Sequence, residues 1–264
     1  MFAADPGTRK IVAAALQRVL ILDPNPNAMR LLADQMRALG EVQIQGAGTV
    51  GDGLALARSL RPNIIFVEHA STGLDGLVFT QELRRGNLEC REAVVVMCTA
   101  VTTSMAIFGA RDVGVHEFLR KPFTLGDLER RLAAVTLKPR PWIEAVGYVG
   151  PDRRRFNSAE YKGPTKRRSD RQGGGSAAQL SQALRIVRSA AQHLDSDPVQ
   201  ARRALIVQAK DLARLAAAMG DARLAQAAAA LTQSVGEAEP LDRQTLARAI
   251  DDLIGLVPVS ELAA

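Results

Sequence analysis

The sequence predicts an α/β fold, a doubly wound five-stranded parallel sheet, followed by a basic flexible linker and an all-α helical bundle as a second domain. Three observations carry this: short apolar runs alternating with helix-period segments up to Leu137, a stretch rich in Pro, Gly and Arg over 138–175, and an Ala-rich helical pattern over 176–264. Alternating strands and helices call for a parallel sheet covered on both faces. A length of 264 residues exceeds what one core usually fills, so two modules and a linker are expected, at 1–137, 138–175 and 176–264.

The elements follow in order. An apolar stretch from Ile11 to Leu16 is broken by Gln17 and Arg18 and runs into a strand-like segment, which argues against a cleaved signal. Val19–Leu22 reads as a buried strand, and Ala28–Leu39 as a helix with apolar Met29, Leu32, Met36 and Leu39 on one side. Val42–Ile44, Ile64–Val67, Val94–Met97 and Glu117–Leu119 supply four further strands. Helices are expected over Leu54–Leu60, Leu74–Leu83, Thr102–Asp112 and Leu125–Val135. The second module reads as four helices, Ala177–Leu194, Pro198–Met219, Ala222–Val235 and Arg243–Leu256, separated by short turn-forming segments.

Composition narrows the function classes. Hydrophobic residues make up 47% of the chain, yet no apolar run approaches the ~18 residues of a membrane span, so a cytoplasmic, soluble protein is expected. Cys90 and Cys98 are too few for a disulfide framework and show no metal-type spacing with the histidines; buried, idle thiols are expected. The net charge of +6 is local: eight basic residues against two acids lie between Arg153 and Arg171, and the rest of the chain balances. Such an excess marks an anion-binding element rather than a generally basic surface.

In a doubly wound sheet the residues just after each strand form the site. Here these are Asp23, then Gly73-Leu74-Asp75-Gly76, Thr99-Ala100 and Lys121-Pro122. With these motifs in order, residues 18–137 resemble the receiver domains of CheY-like response regulators. That resemblance implies an acidic pair holding Mg²⁺, an Asp that takes a phosphoryl group, and a Thr and Lys that contact it. The chain departs twice from this pattern: Pro24 stands at the second acid and Glu68 at the phosphoacceptor. Pro24 gives hard Mg²⁺ no side-chain oxygen. The extra methylene of Glu68 displaces the carboxylate, and a shift of about 1 Å can cost about 100-fold in a transfer that depends on placement. Glu68 is then either a charged mimic of the phosphorylated state or, as we favour, a remnant paired with Lys121. Asp23 can instead cap the next turn with Asn25 and Asn27. His69 is expected to face solvent, and Phe118 to be either a half-buried aromatic or a reporter of activation.

The linker contains the stretch Asp152 to Asp170, with basic clusters Arg153-Arg154-Arg155 and Lys166-Arg167-Arg168 around an aromatic-containing spacer. Its Pro and Gly content and scarcity of apolar residues predict mobility in the free chain. Arginine can read the O6 and N7 edge of guanine and stack on the base, while Phe156 and Tyr161 offer stacking platforms. Gly163-Pro164 supplies a bend. A basic run of this kind also fits a solvated spacer or a nucleic-acid contact. Placed behind a defective receiver site, the segment resembles the arginine-rich segment of the Cle proteins, CheY-like effectors of cyclic di-GMP. The resemblance implies that Arg154, Arg155, Asn157, Tyr161, Lys162, Gly163, Pro164, Arg167, Arg168 and Asp170 contact cyclic di-GMP, with Arg153, Ser158 and Lys166 completing the set. It further implies a non-enzymatic effector without a resident cofactor or metal, directed to protein targets such as the flagellar motor switch and recruited to the motor or cell pole. A phosphorelay regulator and a nucleic-acid-binding regulator are the alternatives; no β-barrel strands surround the segment, which argues against a PilZ domain.

In the helical module, Ala209-Lys210-Asp211-Leu212 followed by Met219-Gly220 and Arg223-Leu224 is similar to a histidine phosphotransfer domain, with Lys210 where the phosphorylated His would stand and Arg214 replacing a small residue one turn later. Lys210 cannot carry a phosphorelay, so a docking or dimerising bundle is expected. His193 reads as a helix-end residue near free carbonyls.

Overall fold

The computed structural model describes residues 6–101, 103–153, 175–236 and 242–256. Among these, the residues up to Ile143 together with Tyr148–Arg153 form one compact unit, and Glu144–Gly147 with the described residues from 175 onward form another.

The first unit opens with α1 (Pro6–Ala15), followed by β1 (Arg18–Leu22), α2 (Pro26–Arg37), β2 (Gln43–Ala47), α3 (Val50–Leu60) and β3 (Ile64–Glu68). A short ribbon of β4 (Ala70–Ser71) and β5 (Leu74–Asp75) precedes α4 (Gly76–Arg85), and β6 (Val94–Thr99), α5 (Ser104–Asp112), β7 (Glu117–Arg120) and α6 (Leu125–Leu137) complete the alternation. The sheet order is β2-β1-β3-β6-β7, and every neighbouring pair is parallel. Side chains along each strand alternate between two cores. Leu20, Leu22, Ile65, Val67, Val95 and Met97 pack with Ala57 of α3, Phe79 and Leu83 of α4 and Ala110 of α5. Val19, Ile21, Ile64, Phe66, Val96 and Cys98 pack with Val12 of α1, Leu32 and Met36 of α2, and Leu128 and Leu132 of α6. Burial on both faces explains why these strands read as continuous apolar runs rather than alternating ones.

Helix starts are set by side-chain caps. Asn25 accepts from the amides of Asn27 and Ala28 ahead of Pro26, Asp75 accepts from Leu77 and Val78, and Thr124 forms a reciprocal capping box with Asp127. Two features depart from expectation. The run Ile11–Leu16 belongs mostly to α1, an additional helix whose Val12 reaches the core beside α6. Part of the segment expected to be mobile is ordered: β8 (Trp142–Glu144) pairs with β9 (Val149–Pro151), and Val149, Gly150 and Pro151 are buried, while residues 154–174 lie outside the described residues.

The second unit contains α7 (Gly175–Gln192), α8 (Pro198–Met219), α9 (Ala222–Ser234) and α10 (Arg243–Gly255). Their inward faces share one core, built on Leu184, Val187, Leu205, Leu212, Leu231 and Leu253 among many alanines. Asp197, Asp221 and Asp242 cap α8, α9 and α10, and Gly220 closes α8 in the left-handed conformation at φ 68°. His193 lies just past α7, with Nδ1 2.7 Å from the Ser189 carbonyl, as its helix-end position predicts.

Candidate functional site

The carboxyl ends of β1, β3 and β7 bring Asp23, Glu68 and Lys121 together. Lys121 Nζ donates to Asp23 Oδ2 at 2.6 Å and also to Glu68 Oε2. Each carboxylate has a second donor: the Asn25 amide reaches Asp23 Oδ1 at 2.9 Å, and the His69 amide reaches Glu68 Oε1 at 2.8 Å. Asp23 therefore both steadies its turn and joins the ion cluster. Asp23 is 6% exposed, and the Lys121 side chain 26%. Burial works against the ammonium, but the hydrogen bonds to Asp23 and Glu68 outweigh it and hold the Lys121 pKa above its ordinary value.

Local backbone explains the Gly-Leu-Asp-Gly motif. Gly73 turns the β4–β5 ribbon at φ 85°, which favours glycine. A Cβ on Gly76 would lie 2.2 Å from the Glu68 carbonyl oxygen, so this glycine lets α4 start directly against the end of β3. Thr99 is buried beside the site, but its hydroxyl is turned to the backbone of Val101 rather than to the ion cluster. His69 differs from expectation: it is half-buried, and its Nε2 is enclosed with no hydrogen-bond partner among the described residues. Phe118 is half-buried against the core, and both cysteines are buried and free. Burial raises the Cys98 thiol to about 12, which keeps it inert at neutral pH.

These residues do not fit Mg²⁺. A hard cation with strict octahedral demands needs several oxygen ligands. Pro24 provides none from its side chain, and both carboxylates already hold the Lys121 ammonium. A cavity of about 200 Å³ beside the cluster is lined mainly by apolar groups, including Leu31, Leu32, Phe66, Pro122 and Phe123. The arrangement sets one internal cation between two carboxylates and offsets one of their two negative charges.

Of the candidate ligand residues in the basic segment, Arg153 is described, while Arg154, Arg155, Asn157, Ser158, Tyr161, Lys162, Gly163, Pro164, Lys166, Arg167, Arg168 and Asp170 lie outside the described residues. Arg153 Nη1 donates to Asp112 Oδ1 at 2.7 Å, and its guanidinium lies over the Tyr148 ring, 4.4 Å from the centroid. Lys210 belongs to the second unit, exposed on α8, and Arg214 pairs with Asp211 one turn away.

Sequence reasoning missed two arginines beside β8 and β9. Arg84 is 1% exposed and donates to the carbonyls of Gly114, Arg91 and Ala93, with its guanidinium over the Trp142 ring. Arg140 donates to the carbonyls of His116 and Asp152. No sequence pattern announces an arginine whose partners are backbone carbonyls.

Fold and site together define a receiver-type module. Residues 19–133 match the response regulator receiver domain, and the chain therefore carries a CheY-like receiver domain of the response regulators. The chain is 28% identical to Protein PilH of Pseudomonas aeruginosa over 46% of this chain and 98% of that protein. It is 27% identical to a probable chemotaxis protein CheY of Rhizobium etli, over 45% and 91%. Against the DNA-binding regulator RpaA of Synechocystis the identity is 31%, over 46% of this chain and 48% of the relative. Among solved structures, chemotaxis protein CheY4 of Vibrio cholerae superposes with a TM-score of 0.43 at 21% identity, over 46% of this chain and 98% of that one. Each likeness covers less than half of this chain. No described helix is long and apolar enough to cross a membrane.

Proposed function

We propose that this chain is a non-enzymatic effector in which cyclic di-GMP, bound by the arginine-rich segment from Arg153 to Asp170, replaces aspartyl phosphate as the input. Binding changes which protein the receiver domain contacts, and the flagellar motor switch is the partner that resemblance to the Cle proteins suggests. The observation that supports this reading best is the internal closure of the receiver site, with Lys121 held between Asp23 and Glu68. With Pro24 at the second acid and Glu68 at the acceptor, the residues around Lys121 are poorly suited to phosphoryl transfer. A strongly cationic segment directly behind the receiver domain offers another way in.

Calorimetric titration of cyclic di-GMP into the full chain tests this. Saturable binding is expected, with loss of more than tenfold in affinity when Arg154, Arg155, Arg167 and Arg168 are all changed to Ala. Equal affinity in the two proteins removes the proposed site. A second reading, a phosphate-accepting response regulator, is favoured by the likeness to PilH and CheY. Incubation with acetyl phosphate and Mg²⁺ separates the two: the first predicts no phosphoprotein by intact mass on prompt sampling, the second an increment of one phosphoryl group.

A further inference from the structure

Arg153, the first cation of the basic segment, is engaged twice within the receiver unit: by Asp112 at 2.7 Å and by the face of Tyr148 at 4.4 Å. We propose that Asp112 and Tyr148 form a latch that occupies the Arg153 guanidinium in the free chain, and that an anionic ligand of the basic segment must open this latch to use that cation. The inference rests on the reading of the segment as a binder of a phosphodiester ligand.

The receiver side of the latch is firmly placed. Asp112 ends α5, where the amides of Val113, Gly114 and Val115 return to the carbonyls of Gly109, Arg111 and Ala110. Tyr148 is 7% exposed, and its hydroxyl donates to the Pro151 carbonyl at 2.6 Å, so the ring cannot follow a departing guanidinium. Gly150 and Gly114 meet backbone to backbone: a Cβ on Gly150 would lie 2.6 Å from the Gly114 Cα. Arg153 is thus set at the end of α5 by fixed neighbours.

The same geometry lets the latch open. The side chains of Arg153 and Asp112 are 43% and 51% exposed, so water can take over both charges. Asp112 also keeps Arg111 Nε at 3.6 Å after Arg153 leaves, and no buried charge is orphaned. An ion pair this exposed is weak, as is an exposed cation–π contact, so the latch should lower ligand affinity by a factor of about five rather than block binding. A phosphodiester oxygen pair offers the guanidinium a bidentate contact that the single Asp112 bond does not match.

A double-mutant cycle on the full chain, titrated calorimetrically with cyclic di-GMP, tests the latch. Asp112→Asn should tighten binding about three- to fivefold in the wild-type background and leave affinity unchanged when Arg153→Gln is already present. Removing an acid near a cationic segment could also raise affinity through the general field, but that effect would persist without Arg153. Equal effects of Asp112→Asn in both backgrounds, or none in the first, overturn the latch while leaving the ligand reading intact. A folded wild-type chain that gives no binding heat overturns the ligand reading and the latch with it.

Discussion

At the end of the sheet one ammonium answers two carboxylates, and this ratio decides what a substitution does. Replacing Lys121 with Met leaves Asp23 and Glu68, both largely buried, facing each other without a cation. Breaking a fully buried pair costs about 3–5 kcal/mol; with partial solvent access, Lys121→Met should cost about 2–3 kcal/mol in urea unfolding at pH 7. Glu68→Gln removes one charge and leaves the Asp23–Lys121 pair, so it should cost less than half as much. A second residue carries a pH dependence. His116 Nδ1 accepts from the Val95 amide at 3.2 Å and lies 3.2 Å from the buried Arg84 guanidinium. Burial, then the charges of Arg84 and Arg140, push the His116 pKa well below 6.5. The native imidazole stays neutral while the unfolded one takes up a proton, so stability is fully present above pH 6.5 and falls as the pH drops below it. The slope should approach about 1.4 kcal/mol per pH unit down to the native pKa, and His116→Gln should flatten it between pH 6.5 and 5.5.

Among the elements, β8 and β9 depend on close backbone approach. Gly114 has φ 93°, and a Cβ there would lie 2.4 Å from the Val149 carbonyl oxygen. Gly114→Ala therefore adds left-handed strain to a backbone clash and should cost about 2–3 kcal/mol in chemical unfolding, with faster amide exchange at Val149 and Gly150 as the local signature. The contrast with the central strands shows what the sequence makes legible. Ile64–Val67 and Val94–Met97 announce themselves because a strand covered on both faces must be apolar throughout, and α2, α4 and α6 through periodicity and caps. The segment 142–151 carries no such pattern: Gly150 meets Gly114 backbone to backbone, Trp142 lies under the Arg84 guanidinium and Arg140 bonds the His116 and Asp152 carbonyls, none of which leaves a periodic trace. The same limit applies at the site. Asp23, Glu68 and Lys121 were readable as a set because each follows a strand end, but the hydroxyl of Thr99 turns to Val101, a rotamer choice that spacing does not encode. Helix α1 was hidden for another reason: its sequence, PGTRKIVAAA, is short and only part of it reaches the core.

On the scale of the whole chain, charge separates the remaining readings. Eight basic residues in one short stretch account for the net +6, and that local density would attract any polyanion. A polynucleotide bound by six to ten cations loses about 10³–10⁵ in affinity between 50 and 200 mM salt, because every neutralised phosphate releases a condensed counterion. Cyclic di-GMP carries two phosphodiester charges and no condensed counterion sheath, so its binding can respond only through ordinary screening of a few close contacts. Affinity for cyclic di-GMP should then fall no more than about tenfold over the same salt range, since most of its specificity comes from guanine edges and stacking, which salt hardly touches. Isothermal titration at 50, 100 and 200 mM salt, run in parallel with single-stranded DNA of twenty nucleotides, reads both slopes on the full chain. A shallow slope for the dinucleotide together with weak, steeply salt-dependent DNA binding supports a second-messenger effector. Tight DNA binding that persists at 200 mM, with no saturable response to the dinucleotide, would instead assign the basic segment to nucleic acid.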